Sequence, residues 1–236
     1  MKLCKTSVLG ENFLLFSQQN FRGPCCAATE SATTLGILPS IAADFSLIGY
    51  TECAKALSDY YAAAASAAAF LVKKRGLPLS EILFETPVGN VFVTTLNDGF
   101  FEILIPKCKY MITKTVDLMG CEVTYSDFQL DGRYRIIYTS DILSFDLDLL
   151  RLLTTCGDKV PFLSIVYSLA GNRIQMNSYT ARDSSPSSLS LISAVTCAAF
   201  YKSGITEFFY SDAVSRFTCD GVVIRVRPEI CKEKSS

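Results

Sequence analysis

Ser66-Ala67-Ala68-Ala69-Phe70, which runs on through Lys73 to Gly76, returns in altered form as Thr196-Cys197-Ala198-Ala199-Phe200, which runs on through Lys202 to Gly204. Both stretches read as a helix of small residues stopped by glycine, the residue that most readily takes the left-handed conformation at a helix carboxyl end. An alanine tract such as 62–65 with 67–69 buries little area per residue. It therefore gains most as a central helix gripped on several sides by a curved sheet. Each helix is followed by a second shared pattern, Thr86-Pro87-Val88-Gly89-Asn90-Val91 and Thr218-Cys219-Asp220-Gly221-Val222-Val223, which reads as a turn into a strand. The repeat predicts two similar halves, 1–114 and 115–236, with the last strand able to return to the first half.

Strand signals, β-branched and aromatic residues that often alternate with polar ones, fall at 12–16, 81–84, 91–95, 101–105, 133–138, 162–168, 173–179 and 222–226. Residues 146–153 read as a short amphipathic helix, and the Ser-rich stretch 184–190, with Pro186, leads into the second small-residue helix. Neither half alternates strand and helix as a parallel sheet does. The fold class is α+β: two similar domains, each a curved, mostly antiparallel sheet around a central helix.

Composition excludes several function classes. Half of the 236 residues are hydrophobic and 19% are charged, which suits a globular protein. A formal net charge of -1 with dispersed Lys and Arg offers no field for a phosphate backbone, so no nucleic-acid partner is expected. The longest apolar run, 60–72, is shorter than the roughly 20 residues of a spanning helix. No apolar core leads to a cleavage site at the amino terminus, so the expected location is the cytoplasm. There the scattered thiols, ten cysteines with no C-x-x-C, read as small buried hydrophobes. With no histidine in the chain, zinc sites and Ser-His or Cys-His nucleophiles lose their usual ligand or base. No metal or other cofactor is expected.

Lys5 and Leu9-Gly10-Glu11-Asn12-Phe13 resemble the opening Lys and L-G-N-D-F of diaminopimelate epimerases. Lys74-Arg75-Gly76-Leu77 through Glu85-Thr86-Pro87-Val88-Gly89 is similar to the K-G-L and E-T-x-x-G that follow that family's first central helix. Residues 162–179, Arg182, the Ser-rich turn and the second helix resemble its second half. The resemblance implies two domains with a ligand cleft between them and two cysteines, one per half, that exchange the α-proton from opposite faces. Here the first cysteine position falls on Tyr61, followed by Ala62-Ala63-Ala64 where the family has glycines. The second falls on Ser190, or on Leu189 when counted from Gly204. Neither is cysteine. The family's Asn is Glu11, the Glu before the second-half Arg is Ala181, and Arg182 is retained.

The resemblance therefore implies a divergent, catalytically inactive relative that binds an amino-acid-like carboxylate or a protein partner, with Arg182, Ser190, Glu11 and Tyr61 as ligand-binding candidates. Ser187 and Ser188 would add donors at the second helix. The alternative is an epimerase, racemase or isomerase with altered acid/base residues, as in the phenazine-biosynthesis isomerase group. Glu11, Glu30, Asp44, Asp59 and Tyr61 are its available groups. A third reading is an assembly subunit, either a homodimer or paired with an active homologue.

Overall fold

Both small-residue helices are present, and both are buried along most of their length. The computed structural model describes residues 4–17, 33–49, 60–87, 89–118, 120–140, 162–169, 171–180 and 187–231. The amphipathic helix expected at 146–153 lies outside these. Helix α1, Tyr60–Ala69, continues into a π-helical turn, Phe70–Lys74, and every side chain from Ala62 to Leu71 is buried. Helix α2, Ser188–Ser203, is buried without a break from Leu189 to Ala198. A helix that is apolar all round has no solvent face, and its stability comes from packing against what encloses it. Alanine contributes little area, so α1 holds its place by close backbone approach. In α2, Leu189, Leu191, Ile192 and Val195 are the larger buried side chains, each worth about 1.5–3 kcal/mol of burial.

The helix ends follow their sequence signals. Ser187 caps α2, its Oγ accepting the Ser190 N–H at 3.2 Å, and Gly204 closes it at φ 68° with its N–H donated to the Phe200 carbonyl at 2.8 Å. At the end of α1 the Arg75 N–H reaches the Phe70 carbonyl at 3.1 Å, five residues back, and Gly76 follows at φ +69°. That wide turn turns Lys73 and Lys74 outward while Phe70 and Leu71 stay buried.

The chain divides into two compact units, residues 1–105 with 223–236, and residues 106–222. The first contains β1 (Cys4–Val8), β2 (Glu11–Ser17), β3 (Thr33–Pro39), β4 (Phe45–Gly49), β5 (Glu81–Thr86), β6 (Gly89–Thr95) and β7 (Phe101–Pro106). To these are added most of β15 (Gly221–Val226) and all of β16 (Glu229–Ile230), in the order β16-β1-β2-β3-β4-β5-β6-β7-β15. The second contains β8 (Lys109–Leu118), β9 (Cys121–Gln129), β10 (Arg133–Tyr138), β11 (Phe162–Leu169), β12 (Arg173–Thr180), β13 (Glu207–Tyr210) and β14 (Ala213–Phe217), in the order β14-β13-β12-β11-β10-β9-β8. β8 spans the 114/115 position and lies within the second unit.

Pairing repeats strand for strand. The β1–β2, β3–β4 and β5–β6 pairs are antiparallel, while β2–β3 and β4–β5 are parallel. In the second unit β9–β10, β11–β12 and β13–β14 are antiparallel, while β10–β11 and β12–β13 are parallel. Each helix falls in the same place, α1 between β4 and β5 and α2 between β12 and β13. The internal repeat and the α+β class, mostly antiparallel sheet with one enclosed helix per unit among the described residues, are thus features of the fold. One element of the repeat is corrected. The Thr86 turn joins β5 to β6, whereas the Thr218 turn joins β14 to β15, which corresponds to β6–β7. The two turns share chemistry, a threonine hydroxyl donated to the carbonyl of the glycine three residues on at 2.6 and 2.9 Å. That local hydrogen bond suits any hairpin, so it recurs without marking equivalent positions.

Packing follows from these positions. α1 lies against β1, β2, β5 and β6, and α2 against β9, β10, β13 and β14. The face of β9–β11 that carries an apolar cluster of Val123, Tyr125, Ile137, Leu163 and Ile165 also carries an ion cluster, set beside it by the pairing of Arg135 with Asp127 and of Ile137 with Tyr125. There the Asp127 carboxylate, 1% exposed, takes Nε of Arg135 at 2.8 Å, its Nη2 at 2.9 Å, and Nη2 of Arg133 at 2.7 Å. Arg135 also lies over the Tyr125 ring, 4.1 Å from its centroid. Burial alone would push the Asp127 carboxyl up. The arginine hydrogen bonds and charges together outweigh it and hold the group below the usual carboxylate range.

Candidate functional site

The amino end of α2 carries a constellation of hydroxyls around one carboxylate. Asp131 sits in the turn between β9 and β10, where the Leu130 N–H reaches the Gly132 carbonyl at 2.9 Å. Its side chain is exposed, yet both oxygens are anchored from below. Tyr134 donates its hydroxyl to Oδ1 at 2.7 Å, and Ser190, third residue of α2, donates its hydroxyl to Oδ2 at 2.9 Å. Tyr134 and Ser190 are themselves buried, at 1% and 0% exposure. Burial and the neighbouring Asp131 charge push the Tyr134 phenol up, which keeps it a donor.

The turn is shaped to put the carboxylate there. At Gly132 a Cβ would lie 2.5 Å from Cε2 of Phe162, whose ring stacks on Tyr134 with centroids 5.2 Å apart. Glycine lets Phe162 press Tyr134 into place, and Tyr134 in turn fixes Asp131. Behind them Cys108, between β7 and β8, meets Cys197 of α2, and both are buried. Its thiol hydrogen bond to Cys197 and its burial push Cys108 up, so it is a poor nucleophile.

The expected site residues distribute as follows. Ser190 lies in this cluster, with its N–H on Ser187 and its hydroxyl on Asp131. Tyr61 is in the first turn of α1 and half-buried, followed by Ala62, Ala63 and Ala64 at 1%, 0% and 0% exposure. Glu11 opens β2, half-buried, paired across the hairpin with Val8. Arg182, Glu30 and Asp59 lie outside the described residues. Asp44 has a scaffolding position, its Oδ2 accepting the Leu83 N–H at 2.8 Å while its own N–H reaches the Leu83 carbonyl at 3.0 Å. No cysteine occupies the first turn of either helix. Among the described residues no three His, Cys, Asp or Glu side chains could hold a metal, and no helix is long and apolar enough to cross a membrane.

Asp131 and Tyr134 are the residues that sequence reasoning missed. Asp131-Gly132 is a turn signal, and nothing local distinguishes a turn aspartate from one that receives a hydroxyl from 59 residues away.

No protein-family model and no curated protein sequence matches the chain. Solved structures do. The chain is similar to a phenazine biosynthesis PhzC/PhzF protein from Clostridium difficile, with TM-score 0.68 and 12% identity over 98% of this chain and 96% of that one. It is similar to a hydroxyproline epimerase from Agrobacterium vitis, solved with bound trans-4-hydroxy-L-proline, with TM-score 0.67 and 10% identity over 98% and 90%. A phenazine biosynthesis protein of the PhzF family from Enterococcus faecalis gives TM-score 0.65 and 9% identity over 98% of both chains. At these identities the likeness is one of fold. It agrees with the α+β class.

Proposed function

We propose that the chain is a non-catalytic member of this isomerase fold that binds an amino-acid-like ligand, with Asp131 receiving the ligand's ammonium group. The observation that carries the reading is the anchoring of Asp131 by Tyr134 and Ser190. Each carboxylate oxygen accepts one internal hydroxyl and keeps lone-pair capacity toward solvent, and an ionised carboxylate is an acceptor only. That arrangement suits a cation with several N–H donors. An ammonium held by a fixed carboxylate gains charge-assisted hydrogen bonds without the cost of ordering the acceptor. Arg182 is the partner we assign to the ligand's carboxylate.

The helix starts support a reading without proton exchange. Proton exchange at both faces of one carbon needs a group on each side. Here those positions carry Tyr61 and Ser190, the hydroxyl of Ser190 is already donated, and the backbone beside them is closed by buried alanines and by Leu189, Leu191 and Ile192. A second reading has one observation in its favour, since Asp131 is an exposed carboxylate beside a helix amino end. One base acting on one face would support a 1,3-proton shift rather than inversion.

Thermal unfolding against a panel of amino acids, including both stereoisomers of diaminopimelate and trans-4-hydroxy-L-proline, tests the proposal. A concentration-dependent rise in midpoint that Asp131→Asn removes, with no exchange of the ligand's α-proton in deuterated water, is the expected result. Exchange would establish the one-base isomerase instead. No rise with any compound would sink the small-molecule reading and leave a protein partner.

A further inference from the structure

We infer that the first unit carries an anion site, built for a dianionic phosphate group, at the carboxyl end of α1 and apart from Asp131. It surrounds the tip of the β6–β7 hairpin, where the Leu96 N–H reaches the Phe100 carbonyl at 2.9 Å and Gly99 turns at φ +81°. Three cations converge on this tip from two elements. Lys73, turned outward by the π-helical turn, donates Nζ to the Gly99 carbonyl at 2.9 Å and lies 5.3 Å from the Phe101 ring centroid. Arg225 of β15 and Arg227 just beyond it both lie over Phe100, at 4.4 and 5.5 Å from its centroid.

The charges do not balance. Arg225 pairs with Asp98 at the hairpin tip, and among the described residues Arg227 forms no ion pair. Arg225 thus has a carboxylate partner, while Lys73 and Arg227, an excess of two positive charges over the ion pairs formed, have none among the described residues. Burial and the charge of Arg227 push the Lys73 amine down, as expected of like charges held together. A surface cluster of this kind is usually relieved by splaying the side chains into water. Here the aromatic rings and the Gly99 carbonyl hold all three.

The ligand chemistry follows from the donors. A phosphate monoester or free phosphate carries about −1.5 to −2 charge near neutral pH, which matches the excess. Lys73 has two further N–H donors, and Arg227 presents a planar guanidinium fixed by Phe100, the fork that takes two oxyanion atoms at once. Asp98 and Arg225 bound the site and orient it.

Thermal unfolding of the full chain in inorganic phosphate, against sodium chloride at equal ionic strength, tests the inference. At ten times the dissociation constant the wild-type midpoint should rise by about 3 °C. Arg227→Gln and Lys73→Gln should abolish the rise, while Arg173→Gln, an exposed arginine of the second unit, should keep it. An equal rise in all four proteins would mark a bulk salt effect and overturn the site, as would no rise in the wild type. Should Arg227→Gln not fold, the phosphorus resonance of inorganic phosphate titrated with wild-type protein decides. Broadening reversed by excess sulfate supports the site, and an unchanged line removes it.

Discussion

Replacing Asp127 with asparagine should destabilise the second unit by about 3 kcal/mol, the lower end of the range for breaking a buried ion pair from one side. The change is nearly isosteric, so packing around Val123, Tyr125 and Ile137 is kept. What is lost is the charge opposite Arg135, whose side chain is 4% exposed. Arg133, at 20% exposed, reaches water and adds little. The Tyr125 ring beneath Arg135 softens the loss, which places the expectation at the lower end. With a urea slope of about 2 kcal/mol/M, the unfolding midpoint followed by far-ultraviolet circular dichroism should fall by about 1.5 M at neutral pH. The pH dependence has a definite sign. Asp127 is held below the ordinary carboxylate range in the folded state, so its contribution is complete above the unfolded value of about 3.9 and is lost as pH falls through the lower folded value. The gap between wild type and Asp127→Asn should therefore narrow in acid, because protonated aspartate and asparagine are then alike. A midpoint drop under about 0.3 M, or a gap that stays constant down to about pH 2, would refute this account of the cluster.

Three further outcomes are expected. Gly132→Ala must displace Phe162, because the new methyl falls 2.5 Å from its ring; it should cost about 1–3 kcal/mol in urea unfolding and also weaken any ligand response that depends on Asp131. Ala65→Leu inserts a branched side chain into a helix position with 0% exposure and should lower the thermal midpoint far more than Ser203→Leu at the exposed end of α2. Native-state alkylation read by mass spectrometry should modify Cys121 and Cys219, which are exposed, and leave buried Cys108 and Cys197 untouched until denaturant is added.

The helices were legible because their signals are local. Small residues without a polar face mean enclosure on every side, and Gly76 and Gly204 stop the chain wherever the helices go. Strands β5, β6, β7, β10, β11, β12 and β15 carry apolar or β-branched runs and were found to within a few residues of their ends. β8 was not, because as an edge strand with exposed Lys109, Lys114 and Thr115 it lacks the alternation that a half-buried strand shows. β9 escaped for the opposite reason: buried residues from Tyr125 to Phe128 face both ways, so its polar members, Ser126 and Asp127, break the pattern that defines an apolar strand. β3 and β4 owe their place to parallel pairing with β2 and β5, a tertiary fact. The same holds for the candidate site. Ser190 could be located by counting from its neighbours, but the meaning of Ser190 depends on Asp131, and only the folded β9–β10 turn brings them together.

The strand β16 and most of β15 belong to the first unit, yet they follow the whole of the second in the chain. The β1 edge of the first unit is closed by Ile230 opposite Thr6, with the Cys231 N–H on the Lys5 carbonyl at 2.9 Å. During synthesis, then, the second unit has all its residues before the first does. The amino-terminal unit must wait, its β1 and β7 edges uncapped, until the ribosome delivers residues 223–231. A chain truncated after residue 222 and released should therefore hold a protease-resistant second unit beside a first unit that is still open to digestion.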